Sequence, residues 1–158
     1  MNRRASPNRA KFRHQLAAGR AVLLAVAVLT LINQLLLLCR VEYHLLLSAA
    51  VPYYVNWLWF KLEAGAFWAV VNVLLTLCLD GFYCACWFLS SRRRICISAA
   101  LAAYGLDTLL LVIFTFTMLD NPASCIFEIL THLGVLYLLL TADQAAAALQ
   151  RMRQRTRP

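Results

Sequence analysis

Four separate stretches of this chain are each long and apolar enough to cross a lipid bilayer, and no other property restricts its fold as strongly. A spanning helix needs about 20 mostly apolar residues, each rising about 1.5 Å through a hydrocarbon core of about 30 Å. Ala21–Leu38 is interrupted only by Thr30, Asn33 and Gln34. Ala64–Leu89 carries one charge, Asp80, and Ile95–Leu119 carries one, Asp107. Ala123–Ala142 holds Glu128 and His132. The connections at Ser90–Arg94 and Asp120–Pro122 are short, so consecutive helices must be antiparallel. Asn121-Pro122 suits a helix stop and restart, because proline lacks an N–H and fits a first helical position.

The expected fold is therefore an all-α membrane protein. It is a single domain over residues 1–158, a four-transmembrane-helix antiparallel bundle with an extracytoplasmic interfacial segment over 43–60. The expected spans are 21–38, 64–89, 95–119 and 123–142. Composition agrees: 63% of residues are hydrophobic and 14% charged, against about 45–50% and 25% in soluble domains. A chain of 158 residues has too little interior to hide that much apolar surface. A soluble enzyme, a disordered tail and a disulfide-stapled secreted module are excluded on this ground. The first run also differs from a cleaved signal: its length of 18 residues exceeds the usual 7–15, and no small-x-small site follows directly.

The net charge of +8 is distributed in blocks. Arg3, Arg4, Arg9, Lys11, Arg13 and Arg20 precede the first run, Arg92–Arg94 sit between the second and third, and Arg151, Arg153, Arg155 and Arg157 follow the fourth. With both termini in the cytoplasm, the inside segments hold 13 of the 15 Lys and Arg, and Arg40 and Lys61 lie outside. That split satisfies the positive-inside rule. The basic blocks are thus topogenic and suited to anionic lipid headgroups rather than to nucleic acid. Ser6-Pro7 reads as an N-cap and first helical residue, and the Ala-rich stretch before Gln150 as a cytoplasmic extension of the fourth helix.

In residues 40–63 the apolar stretch before Pro52 is too short to span, and the segment is crowded with aromatics, including Tyr53, Tyr54, Trp57 and Trp59. Tyr and Trp favour the headgroup level, so these residues and Pro52 are read as an interfacial or re-entrant pair of short elements. Pro52 is its hinge, and the pair lies over the outer helix ends. A lid or ligand-contact surface is the functional version of the same segment.

Polar groups within the spans carry whatever chemistry the chain has. Ionisable residues are costly in hydrocarbon and face a bundle interior. Gly65, Ala69, Asn72, Thr76 and Asp80 fall on one helical face, as do Ala100, Ala103 and Asp107, and Ser124, Glu128, Thr131 and His132. By depth, Asn33, Asn72, Asp107, Glu128 and His132 form one polar cluster in the outer half, with Asp80 deeper and Asp107 paired with His132. The cluster serves either helix–helix hydrogen bonding or a solute, ion or proton site. The six cysteines give no metal pair, since Cys84 and Cys86 point apart on a helix, and Cys39 with Cys125 is one conceivable external disulfide. No cofactor motif is present.

Leu47-Ser48-Ala49-Ala50-Val51-Pro52-Tyr53-Tyr54, Leu106-Asp107-Thr108 and His132 through Val135-Leu136-Tyr137 resemble, in the same order, segments of small uncharacterised multi-span bacterial membrane proteins. The resemblance implies a bacterial inner-membrane setting and draws attention to Pro52, Asp107 and His132. It brings no activity with it. Short loops leave no soluble domain for chemistry, so the expected function is a non-enzymatic membrane subunit or interaction partner, pairing with another membrane protein or a second copy of itself. The alternative is a transport or proton-coupled solute-binding component, and an intramembrane enzyme using an acid–His pair is the third reading.

Overall fold

The computed structural model describes the backbone of residues 7–39, 41, 45–61, 65–118 and 125–155. The side chains of residues 56–61, and with them Trp57 and Trp59, lie outside the described set, as do Ser6, Tyr43, residues 119–124 and the last three arginine-proximal positions 156–158. Five helices follow in order: α1 (Pro7–Leu38), α2 (Ala50–Lys61), α3 (Ala66–Leu89), α4 (Arg94–Met118) and α5 (Ile126–Arg155). The fold is an all-α, four-helix bundle made of α1, α3, α4 and α5, each long and apolar enough to cross a membrane. Pro7 opens α1, where its fixed φ costs nothing and its missing N–H would have been unpaired anyway. α1 and α5 run well beyond their apolar stretches, as the basic and Ala-rich flanks imply.

Around the bundle the order is α1, α3, α4, α5, each antiparallel to its neighbours, and the α1–α5 contact is the most extensive. One end of the bundle gathers the start of α1, the turn Ser90–Arg93 and the end of α5, and is the basic end. At that end Arg20 of α1 donates to the Trp87 carbonyl (3.3 Å) and lies over the Trp87 ring. Arg94 pairs with Asp143 at 3.0 Å, tying the start of α4 to α5.

The burial pattern is inverted relative to a water-soluble bundle. Large apolar side chains such as Val70, Leu74, Leu106, Ile113, Phe127 and Leu130 face outward at half exposure or more. Thr30, Asn72, Thr76, Asp107, Thr115 and His132 are inside. Only 28–33% of each spanning window is buried. In water such an exterior would collapse or aggregate, whereas against lipid it is already in its preferred solvent, and polar groups have to turn inward.

The segment after α1 departs from the expectation. It does not lie over the helix ends, and Pro52 is not a hinge: α2 is continuous through it, with Pro52 in its first turn. A turn with Leu47 at φ 71° reverses the chain, and α2 then begins inside the bundle. Thr30, which meets its base, is eight residues from the end of α1, about 12 Å down, and Asp107 is eleven from the end of α4, about 16 Å down. From there α2 climbs alongside α4. Ala50 packs on Leu111, and one turn later Tyr54 stacks against Phe114 with centroids 4.1 Å apart. Its 12 residues rise about 18 Å, enough to return to the bundle's edge. Near the basic end α3 and α4 touch directly through Tyr83 and Tyr104 (6.4 Å between centroids). Toward the opposite end α2 sits against both. The re-entrant form of the segment is thus the one observed.

Candidate functional site

A helix leaves its first four N–H groups without intrahelical acceptors, and in a bilayer interior no water is there to take them. The base of α2 meets this problem at depth, and each of the four donors is accounted for. The N–H of Ala49 donates to Thr30 Oγ1 at 2.7 Å. Those of Ala50 and Val51 donate to Asp107 Oδ2 and Oδ1, each at 2.9 Å. The fourth position is Pro52, which has no N–H to satisfy. The carboxyl group supplied by α4 thus does for α2 what an N-cap side chain does locally, and the positive end of the α2 dipole favours negative charge there. Proline at this position leaves one donor fewer to satisfy at the buried start of α2.

The turn below is clamped from α1. Asn33 Nδ2 donates to the Leu45 carbonyl (2.8 Å) and to Ser48 Oγ (2.7 Å), while Asn33 Oδ1 accepts from the Leu45 N–H (2.7 Å). Thr30 and Asn33 are three residues apart and share one helix face, so a single stripe of α1 holds both the turn and the base of α2. His132 of α5 closes the far side. Its Nδ1 lies 3.8 Å from Asp107 Oδ2 and 3.3 Å from Thr108 Oγ1, and its ring stacks on Tyr104 with centroids 5.0 Å apart. Because the Thr108 hydroxyl hydrogen goes to the Tyr104 carbonyl (2.8 Å), its oxygen is left to accept from Nδ1–H. Asp107 and His132 do meet, as their depths suggest, but the hydrogen bonds of Asp107 belong to α2. Glu128 is buried within electrostatic range of Tyr53, Tyr54 and Asp107.

Asn72 and Asp80 do not join this cluster. They lie with Thr76 on the buried face of α3, where Thr76 Oγ1 and Gln34 Oε1 of α1 are 3.3 Å apart. Among the described residues, both polar atoms of the Asn72 side chain and both carboxyl oxygens of Asp80 are buried without a hydrogen-bond partner. The single cluster read from depth is therefore two: one around the base of α2, the other along α3. Gly65 is exposed with open space around it, so the small-residue face of α3 does not extend to that position. Ser124 lies outside the described residues, and Pro52, Tyr53 and Tyr54 lie in the first turns of α2.

Sequence reasoning passed over Thr30, Ser48 and Thr108, which complete the clamp. Thr30-x-x-Asn33 was visible as a helical i, i+3 pair; Ser48 and Thr108 gave no local signal, since their partners are 15 and 24 residues away. None of the six cysteines is in a disulfide, Cys39 and Cys125 included. Among the described residues no group of three His, Cys, Asp or Glu side chains is placed to hold a metal ion. The chain matches no family model, and no curated protein or solved structure matches it.

Proposed function

We propose that this protein is a non-enzymatic, multi-pass membrane subunit: a rigid bundle organised around an internal re-entrant helix and acting through contact with another membrane protein or a second copy of itself. The observation that carries this reading is the commitment of Asp107. Both of its oxygens are taken up by the backbone of α2, and the adjoining cavity among Thr30, Asn33, Gln34, Ala49, Pro52 and Tyr53, about 10 Å3, has room for one water. The Asp107 carboxyl group thus holds the chain's own segment. No cofactor and no nucleic acid enter this reading. Purification from native membranes in mild detergent, followed by mass spectrometry of proteins and small molecules, tests it. A stoichiometric protein partner or a homo-oligomer is the expected result; a monomer that carries a bound metabolite would sink it.

The second reading, a transport or proton-coupled solute-binding component, is favoured by one observation, the unpartnered Asn72 and Asp80 side chains on α3. It shifts the site from Asp107 and His132 to α3. Under it, Asp80→Asn abolishes biological activity and leaves the folded bundle intact.

The setting proposed is a bacterial inner membrane, as the resemblance implies, with both termini and the basic end cytoplasmic and in contact with anionic headgroups. Single cysteines placed at Ser6, Asn56, Ser91 and Thr156, in a background without native cysteines, check the orientation. Only the one at position 56 is expected to react with an impermeant thiol reagent on intact cells, and labelling at 91 or 156 would reverse the topology.

A further inference from the structure

We infer that the basic end carries a built site for the phosphate-bearing headgroup of an anionic phospholipid, in the corner where α5 rises past the α3–α4 turn. Asp143, paired with Arg94, marks the level of that turn. α5 continues twelve residues beyond it to Arg155, about 18 Å. α1 runs alongside, packed on α5. The projecting pair and the turn border an open cleft of about 710 Å3, within the range of about 300–1,000 Å3 typical of small-molecule sites.

The chemistry of the cleft is that of a receptor for an anionic amphiphile. Its lining brings Arg92, Arg93 and Arg94 from the turn together with Arg153 from α5, and no Asp or Glu is among the described lining residues. Arg94 is held by Asp143 and fixes the wall of the cleft. Arg92, Arg93 and Arg153 are exposed and converge on the same space from two elements far apart in sequence. Guanidinium groups match phosphate oxygens with paired N–H donors and retain their charge at any physiological pH. The hydroxyls of Ser90 and Ser91 are already donated to backbone carbonyls, so Arg92, Arg93 and the amide of Gln150 offer the donors for a ligand, with the Arg153 charge beside them. The other wall is apolar, with Leu16, Leu149 and the outward-facing Ile95. A free phosphate would have no use for that wall; a lipid lying against the spanning helices places its acyl chains along it and its headgroup among the arginines. A basic block that served only to set topology would need no cleft shared by two elements and no apolar wall beside it.

The inference rests on the membrane reading of the chain and not on its having a protein partner, so either can fail without the other. The test uses the full-length protein in detergent, titrated with short-chain phosphatidylglycerol, phosphatidylcholine or inorganic phosphate, with binding read by native mass spectrometry and by the shift in melting temperature. Saturable binding of phosphatidylglycerol is expected, with a Kd raised about tenfold or more in the variant Arg92→Gln/Arg93→Gln/Arg153→Gln. A second triple variant, Arg9→Gln/Lys11→Gln/Arg13→Gln, removes as much charge from the same end outside the cleft and should bind like the parent. Gln150→Trp keeps every charge and puts a bulky ring into the cleft, and should weaken binding. Equal losses in the two triple variants, or undiminished binding in Gln150→Trp, would show a diffuse charge effect and overturn the site. Inorganic phosphate competing as well as the lipid would overturn the lipid assignment.

Discussion

Asp107→Ala is expected to cause the largest loss of stability of any single truncation in the interior. The substitution removes the acceptors of two buried backbone N–H groups, Ala50 and Val51, at a depth where water cannot replace them. Each stranded donor costs roughly 1–3 kcal/mol, and the lost favourable interaction with the α2 dipole adds to that. A fall in detergent melting temperature on the order of 10 °C follows, taking about 2–4 °C per kcal/mol for a chain of this size. Asp107→Asn keeps one acceptor oxygen and turns an NH2 group toward the other donor, so it should lose about half as much. His132→Leu should cost less than either, because His132 stands 3.8 Å from the carboxyl and is not its hydrogen-bond partner. Pro52→Ala separates this account from a generic one. In an exposed helix the change would be near neutral; here it adds an N–H to a buried helix start whose other donors already hold the Thr30 and Asp107 acceptors, and it should destabilise. A melting temperature unchanged by Asp107→Ala would mean that α2 does not depend on this cap.

The second large effect is expected at Gly19. A Cβ built there overlaps the Cβ of Ala142 and comes within 3.3 Å of the Leu138 carbonyl oxygen, so α1 and α5 approach one another at backbone distance. On helix propensity alone Gly19→Ala would gain about 0.5–1 kcal/mol. Forcing apart the most extensive helix pair in the bundle costs more, typically 1–3 kcal/mol for an overpacked methyl group where neither side can yield. The net sign is destabilising, and Gly19→Val should be worse. Gly19→Ala combined with Ala142→Gly moves the methyl group from one helix to the other and should recover part of the loss, as measured by thermal unfolding in detergent. Strict additivity of the two changes would argue against the contact.

These two positions show where the sequence was readable. The four spans were legible because hydrocarbon thickness sets a length and a composition that few other structures share, and α3 and α4 begin and end within two residues of the runs read from composition. That Asp80, Asp107, Glu128 and His132 turn inward was equally legible, since lipid leaves them no other direction. Gly19 was not. It lies ahead of the first apolar run, has an ordinary φ, and becomes special only when Ala142, 123 positions later, is packed on it.

The sequence by itself determined that this chain is an inside-out helical bundle, and which polar residues would be interior, because both follow from the solvent that each residue meets. It could not determine what those residues hold. Asp107 facing His132 and Asp107 capping a helix give the same sequence pattern, since a carboxyl group needs only donors and the chain has two kinds within reach. Only the tertiary structure decided between them, by bringing the backbone of Ala50 and Val51, 57 and 56 residues away, to that carboxyl. Pro52 changed its meaning for the same reason. A proline after an apolar run reads as a hinge when its surroundings are unknown, and as a missing donor once the helix start is found buried. Side-chain chemistry fixes how many hydrogen bonds must be made; the packing of distant segments fixes with whom.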